Sequence, residues 1–196
     1  MASHVLDQAL TKAIASEIEG IIPYDEIEVV HRRDAMEWVA SAQNIFRLKK
    51  PDIPPTHLVA YFVFVDPDQQ SILLVDHIKA QLWIPTGGHV EFNEDPRQTV
   101  MREAKEELGV QAVFLRNNDH PFFITRNRTT GLTPGHTDIS LWYLLRGSVH
   151  DFHPYDKGEF NDIEWYSFAE VLDSDPAIFD RHLQRFVRKL RAYLGK

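Results

Sequence analysis

The chain of 196 residues contains no cysteine. A protein without thiols has no disulfide bonds, no thiolate zinc site and no cysteine nucleophile, and it is compatible with a reducing compartment. Its hydrophobic fraction of 43% and charged fraction of 26% are ordinary for a globular protein. This length predicts one domain with a sizeable core, together with an added helical segment.

Long apolar runs are also missing. The longest, such as 58–65, have the length of a β-strand and are far too short to cross a membrane. The N-terminus lacks the charged-then-apolar pattern of a secretory signal peptide. We therefore expect a cytoplasmic protein that makes no use of a membrane.

Basic residues are in the minority, with 21 Lys and Arg against 29 Asp and Glu, for a formal net charge of −8. This balance argues against broad binding to a nucleic-acid backbone, but a small anionic substrate remains compatible because a bound metal can reverse the local sign of a site. Five basic residues on the last predicted helix accompany a complete apolar face, so we interpret them as a solvated face: Arg181, Arg185, Arg188, Lys189 and Arg191.

The pattern divides the chain into two parts. Residues 1–50 show apolar positions at helical spacing and are predicted to form an N-terminal helical extension, whose second helix includes Ile27 and Val30 on its apolar face. Pro51, Pro54 and Pro55 form a linker, and residues 56–196 form the main domain. The extension could cap the core, shape the pocket or form a contact in a homodimer.

Short strands and two helices are predicted after the linker. The strands are 58–65, 71–75, 82–84, 111–115, 121–125, 138–145 and 162–167, and the helices are 96–108 and 176–194. Strands around one central helix, with helices at both ends of the chain, predict an α/β sandwich with a mixed sheet.

The helix 96–108 carries the chemistry. Val100, Met101, Ala104 and Leu108 are predicted to form its core stripe, and three glutamates occupy one arc beside that stripe: Glu103, Glu106 and Glu107. Such a run is more often a solvated face. Here the carboxylates border the core, Glu107 nearest to it, and crowded carboxylates favour a hard divalent cation. A glycine-rich turn at 86–88 lies just upstream, where glycine permits close approach of the backbone to a ligand.

Residues 88–110 resemble the Nudix box. Its fixed positions are a glycine, a glutamate, then Arg-Glu-aliphatic-any-Glu-Glu-any-Gly-aliphatic, and this chain meets all of them. They are Gly88, Glu94, Arg102, Glu103, Ala104, Glu106, Glu107, Gly109 and Val110. Ala104, the smallest residue acceptable at its aliphatic position, is the mildest departure.

The resemblance implies a Nudix-type α/β/α sandwich that hydrolyses a phosphoanhydride in a nucleoside diphosphate linked to another moiety, or in a related nucleotide. It implies Mg²⁺ or Mn²⁺, held by Glu103, Glu106, Glu107 and the carbonyl oxygen of Gly87. Arg102 and Glu94 would orient these carboxylates. Glu103 or Glu106 would act as general base, because a carboxylate not fully engaged by metal can accept a proton from water.

Several residues that are not fixed positions of the box are candidate contacts. Asp138 could supply an extra acidic group to metal, water or substrate, with Glu159 and Glu164 as alternatives. Phosphate could be bound by Arg126 and Arg128, which alternate on a strand, or by His89 and His136. Four aromatic residues could stack on a base, although core packing is their default: Trp83, Phe92, Phe122 and Trp142.

Two other functions remain in view. A nucleotide-binding or regulatory module with little hydrolysis is possible on the same fold, although a pure binder has no need for all three glutamates. An isoprenoid-diphosphate isomerase related to the family would normally call on a cysteine, and this chain has none. No accessory pattern identifies the substrate.

Overall fold

The computed structural model describes residues 6–49, 53–129, 135–151 and 154–195. Its helices and strands, in chain order, are α1 Gln8–Gly20, α2 Glu26–Ser41, β1 Thr56–Asp66, β2 Ser71–His77, β3 Leu82–Ile84, β4 Thr86–His89, α3 Pro96–Leu108, β5 Phe123–Arg128, β6 Thr137–Arg146, β7 Phe160–Ser167, α4 Phe168–Asp173 and α5 Leu183–Leu194. Short 3₁₀ helices occupy Leu115–Asn117 and Pro176–Ile178.

The strands that the structure describes form one seven-stranded sheet. Its order is β3-β2-β1-β6-β5, with β4 paired to β1 and β7 paired to β2. The β1–β6 pair is parallel and the other pairs are antiparallel. The predicted mixed sheet is therefore confirmed. Among the helices described, none combines the length and apolar character needed to cross a bilayer.

Two apolar cores lie on opposite faces of the sheet, because successive strand residues point in opposite directions. Leu58, Ala60 and Phe62 of β1 belong to one core, and Val63 and Val65 belong to the other. The first core also receives side chains of α1, α2 and α3, and the second those of α4 and α5. This layering confirms the predicted α/β/α sandwich.

The N-terminal helices pack into the first of these cores. Ile14 and Ile18 of α1 and Ala35 and Val39 of α2 are all buried there, beside residues of β1 and α3. Residues 1–5 and 50 of the predicted extension, and Pro51 of the predicted linker, lie outside the described part of the chain.

The buried face of α2 differs from the prediction. Ile27 and Val30 are 50% and 40% exposed, whereas Glu28 is fully buried. Glu28 accepts a hydrogen bond from the Lys189 ammonium of α5 at 2.8 Å. Arg185 of α5 likewise donates from Nε to Asp25 at 2.7 Å. Two of the five basic residues assigned to the last predicted helix therefore pair with α2 or its N-cap residue, so the solvated-face interpretation was wrong for Arg185 and Lys189.

Three further predictions of secondary structure differ from the structure. Residues 111–115 do not form a strand; a 3₁₀ turn follows, in which Arg116 and Asn117 have positive φ angles of 56° and 55° that interrupt extended backbone. The predicted helix 176–194 begins only at Leu183, because the amide of Asp180 instead bonds the Trp83 carbonyl of β3. The predicted glycine-rich turn at 86–88 is part of strand β4.

Candidate active site

Helix α3 presents the three box glutamates, and its ends are set by local sequence. The Asp95 side chain accepts a hydrogen bond from the Arg97 amide, and Pro96 occupies the first helical position. Gly109 ends the helix in the left-handed conformation at φ 65°, which glycine adopts without steric cost. The observed bounds are those expected from the sequence.

The buried face of α3 is turned toward the glutamates more than expected. Ala104 and Leu108 are buried as predicted, but Met101 is 46% exposed and does not belong to the core stripe. Thr99, on the other side of Val100, is fully buried instead. Glu107 therefore lies within the buried arc, with only 7% of its surface exposed.

Strand β4 brings the glycines against β1 and α3. Gly87 lies opposite Tyr61 of β1 and has a φ of 152°, which favours glycine. A Cβ atom on Gly88 would overlap the carboxylate of Glu103. The absence of a side chain at this position thus allows the first box glutamate to lie against the strand.

Arg102 connects the box carboxylates. Its Nε and Nη2 atoms donate to the two oxygens of Glu94 at 2.9 and 3.0 Å, which is a bidentate pair. Its Nη1 atom donates to Glu103 at 2.6 Å and to Glu106 at 3.4 Å. One guanidinium therefore orients two of the three helix glutamates, while Glu94 holds the guanidinium in place.

The environment of Glu107 suits a cation. Burial, followed by the nearby charges of Glu103 and Glu159, raises the pKa of Glu107 to about 9. Its buried Oε2 atom has no hydrogen-bond partner among the described residues. Burial also raises the pKa of Glu103, against the opposing effect of Arg102. Oxygen ligands of this kind fit Mg²⁺ or Mn²⁺, which would offset the cost of holding these charges together.

A pocket of about 580 Å³ opens over these residues. Its lining includes every metal ligand that the family resemblance implies: Gly87, Glu103, Glu106 and Glu107, together with Arg102. Another cavity of about 600 Å³ is lined by parts of α1, α5 and the 118–122 segment, and no box residue reaches it. The box pocket is therefore the candidate active site.

Four of the candidate residues that are not fixed positions of the box also line this pocket: His89, His136, Asp138 and Glu159. Asp138 additionally meets His57, whose Nε2 lies 3.4 Å from its Oδ1. The sequence prediction missed His57. A histidine at the start of an apolar strand was the available signal, but only the pairing of β1 with β6 places it opposite Asp138.

Two groups at this wall have displaced pKa values. Burial lowers the pKa of His89 to about 3, so its imidazole is neutral at pH 7. Burial opposes ionisation of Asp138, but the neighbouring imidazoles of His136 and His57 outweigh it and bring its pKa to about 2. The wall therefore carries an ionised carboxylate beside a neutral imidazole.

The remaining candidates lie elsewhere. Arg126 and Arg128 share one face of β5 as predicted, but Asn127 between them is the residue opposite Asp138, so both arginines are on the other face and do not line the pocket. Glu164 is exposed on β7, outside the lining. The four candidate stacking aromatics do not line it either: Trp83, Phe92, Phe122 and the fully buried Trp142.

Comparison with known proteins agrees with this geometry. The sequence model of the NUDIX domain family matches residues 55–189. A Nudix-family hydrolase from Clostridium perfringens superposes with a TM-score of 0.56 at 22% identity, covering 71% of this chain and 96% of that chain. A C. elegans Ap4A hydrolase has a TM-score of 0.56 at 18% identity, covering 70% of this chain and 97% of that chain. An E. coli dihydroneopterin triphosphate pyrophosphohydrolase has a TM-score of 0.52 at 14% identity, covering 67% of this chain and 92% of that chain.

No curated protein sequence matches the chain. The structural likenesses are below 25% identity and establish the fold, whereas the domain match covers more than half of the chain. The chain therefore belongs to the Nudix family. The class that this fold and box define is that of the Nudix pyrophosphohydrolases.

Proposed function

We propose that this protein hydrolyses, with Mg²⁺ or Mn²⁺, a phosphoanhydride bond in a nucleoside diphosphate linked to another moiety or in a related nucleotide. The observation that carries the proposal is Glu107, whose buried carboxylate has an oxygen without a hydrogen-bond partner beside Glu103. A surface cluster kept for solubility would not hold a carboxylate in this state.

The proposed metal ligands are the carboxylates of Glu103, Glu106 and Glu107 and the carbonyl oxygen of Gly87. When bound, the metal would neutralise charge on the reacting phosphoryl group and lower the pKa of the attacking water. The negative diphosphate and these carboxylates repel each other, so substrate binding and metal binding should be coupled.

Arg102 is proposed as a positioning residue. It already donates to Glu103 and Glu106, and its own orientation depends on the bidentate contact with Glu94. Glu103 or Glu106 would accept the proton of the attacking water. Glu106 is the more accessible of the two, with 61% of its side chain exposed against 15% for Glu103.

The substrate class rests on chemistry and on analogy. The pocket volume of about 580 Å³ is within the range of small-molecule sites. The similar structures include enzymes whose names specify Ap4A and dihydroneopterin triphosphate, both of them phosphoanhydrides. We extend to this chain only the shared feature, a nucleotide-like phosphoanhydride small enough for the pocket.

A substrate panel combined with a metal titration tests the proposal. ADP-ribose, NADH, coenzyme A, dinucleoside polyphosphates and nucleoside triphosphates would be assayed with Mg²⁺ and with Mn²⁺, and the products identified. Glu107→Gln should raise the metal concentration needed for half-maximal rate. Loss of the general base should instead reduce kcat by about 10²- to 10⁴-fold at saturating metal, which distinguishes Glu103→Gln from Glu106→Gln.

Glu37→Gln is the control, because Glu37 is exposed on α2 and lies outside the pocket lining. Its turnover and metal dependence should equal those of the wild type. Wild-type rates and metal dependence in Glu106→Gln and Glu107→Gln would refute the mechanism. Tight nucleotide binding by the wild type without product formation would instead identify a regulatory module.

A further inference from the structure

The structure assigns a second metal site to His57, His89, His136 and Asp138, and we propose that this site takes a divalent ion of the zinc class. It differs from the box carboxylates in its residues and in its ligand chemistry, although both sets contribute to the lining of one pocket. Its proposed role is structural, holding β1, β4 and β6 together at the wall of the pocket.

The sheet register creates the cluster. His57 of β1 is the direct parallel partner of Asp138 of β6, so the two side chains leave the same face of the sheet. His136 precedes Asp138 by two residues and shares that face. His89 of β4 is paired with Val59, which lies two residues after His57 on β1. Three separate strand segments thus point four ligand-type side chains at one place.

The distances suit a four-ligand ion. Oδ1 of Asp138 lies 3.4 Å from Nε2 of His57, 3.3 Å from Nε2 of His136 and 3.9 Å from Nε2 of His89. One ligand atom from each of the four residues lies within 4.8 Å of all the others. Bonds of about 2.0 to 2.1 Å in a tetrahedral zinc site separate neighbouring ligand atoms by roughly 3.3 Å. Small side-chain rotations would complete that geometry.

Burial makes the cluster costly without a cation. His57 is fully buried and Asp138 is 8% exposed. His57 Nε2, His89 Nε2 and Asp138 Oδ1 are buried and have no hydrogen-bond partner among the described residues. Buried polar atoms are normally satisfied, and leaving them unpaired destabilises the fold. A single ion would satisfy all three atoms at once.

The contact of His57 with the backbone strengthens this interpretation. Nδ1 of His57 lies 2.8 Å from the Pro54 carbonyl oxygen, which can only accept a hydrogen bond, so Nδ1 carries the proton. This leaves Nε2 as the ring nitrogen that faces the Asp138 oxygen. A cation between these two atoms, which lie 3.4 Å apart, would bond to both of them. Histidines that bind a metal usually donate their other ring N–H to a carboxylate or a backbone carbonyl, as His57 does to Pro54.

The ligand set separates this site from the box site. Three imidazoles and one carboxylate suit zinc and related transition ions, whereas an all-oxygen set suits Mg²⁺ or Mn²⁺. Four protein ligands leave no open position in a tetrahedral site, which is typical of structural zinc. His89 shares the short strand β4 with Gly87, so an ion here would also fix the strand that supplies the proposed carbonyl ligand.

Metal analysis of the purified full chain tests the assignment. The protein would be stripped with a chelator, refilled with Zn²⁺ or Co²⁺, desalted and assayed for bound metal. We expect one Zn²⁺ per chain, a higher melting temperature with Zn²⁺, and intense visible absorption typical of tetrahedral Co²⁺. His136→Asn combined with Asp138→Asn should lose all three signals. His120→Asn is the histidine control, since His120 is exposed and lies outside the cluster and the box pocket.

Two further variants keep the outcomes distinct. His89→Gln changes a partly exposed ligand and should lower Zn²⁺ affinity even if the double variant fails to fold. A Glu103→Gln, Glu106→Gln variant should keep stoichiometric Zn²⁺ while losing the metal-dependent hydrolysis proposed above. Failure of the wild type to retain Zn²⁺, or equal retention by the His89 and Asp138 variants, would overturn the zinc site without affecting the box mechanism.

Discussion

At the scale of single residues, the site depends on the lack of a side chain at Gly88 as well as on the side chains that surround it. Gly88 allows the Glu103 carboxylate to lie against β4, in the space that a Cβ atom would occupy. Glu103 is in turn held by Arg102 at 2.6 Å. A methyl group at position 88 would therefore displace a proposed metal ligand without removing any polar group.

We expect Gly88→Ala to reduce kcat/KM by about 10²-fold, because a displacement of about 1 Å at a reacting centre can cost that much. The test compares turnover and metal affinity with those of Gly20→Ala. Gly20 has no atom within 4 Å of the position of an added Cβ, so that variant should behave like the wild type. Equal activity of Gly88→Ala and Gly20→Ala would contradict the proposed placement of Glu103.

At the scale of elements, a buried ion pair connects helices α2 and α5. The Lys189 ammonium donates to Glu28 at 2.8 Å and to the Phe122 carbonyl at 2.6 Å. Glu28 also accepts hydrogen bonds from the amides of Tyr24 and Ile124, so its carboxylate connects α2 to β5 as well. This network makes the two terminal helical segments of the chain depend on each other.

Lys189→Met should lower the free energy of unfolding by roughly 3 to 5 kcal/mol, because it leaves the Glu28 carboxylate buried without its counter-ion. Adding Glu28→Gln to Lys189→Met should recover most of that loss. Urea denaturation of the wild type, both single variants and the double variant gives the coupling free energy. Strictly additive losses would show that the pair contributes nothing.

At the scale of the whole molecule, the N-terminal helices and the Nudix domain share one core. Ile18 of α1 is fully buried among residues that include Leu58 of β1 and Val100 of α3. We therefore propose that the chain unfolds as one cooperative unit, although its sequence pattern divides into an extension and a domain. The use of this segment in a homodimer remains a prediction that a measurement of mass in solution would test.

Ile18→Ala should lower the free energy of unfolding by roughly 2 to 5 kcal/mol, as expected for a buried large-to-small substitution. Ile22→Ala, four residues later and 82% exposed, should change it by less than about 0.5 kcal/mol. Both are measured by denaturation monitored at several probes. If Ile18→Ala melted only the N-terminal helices and left the rest of the chain unchanged, the shared core would not be cooperative.

The features that the sequence alone predicted correctly depend on interactions between residues that are close in the chain. Asp95, Pro96 and Gly109 set the ends of α3 through capping, which depends on neighbours within a few residues. The spacing of the box glutamates along that helix then follows from helical geometry. Errors appeared where a distant partner decided the outcome, as for Glu28, whose burial requires Lys189 from the other end of the chain.

The sequence by itself determined the family, the mixed sheet and the helix that carries the glutamates, because these depend on periodicity, caps and fixed spacing. Only the tertiary structure decided how far Glu107 is buried, and that Arg126 and Arg128 face away from the pocket. It also decided that His57, 81 positions before Asp138 in the chain, lies opposite it. Strand register creates such contacts, and register depends on the packing of the whole sheet.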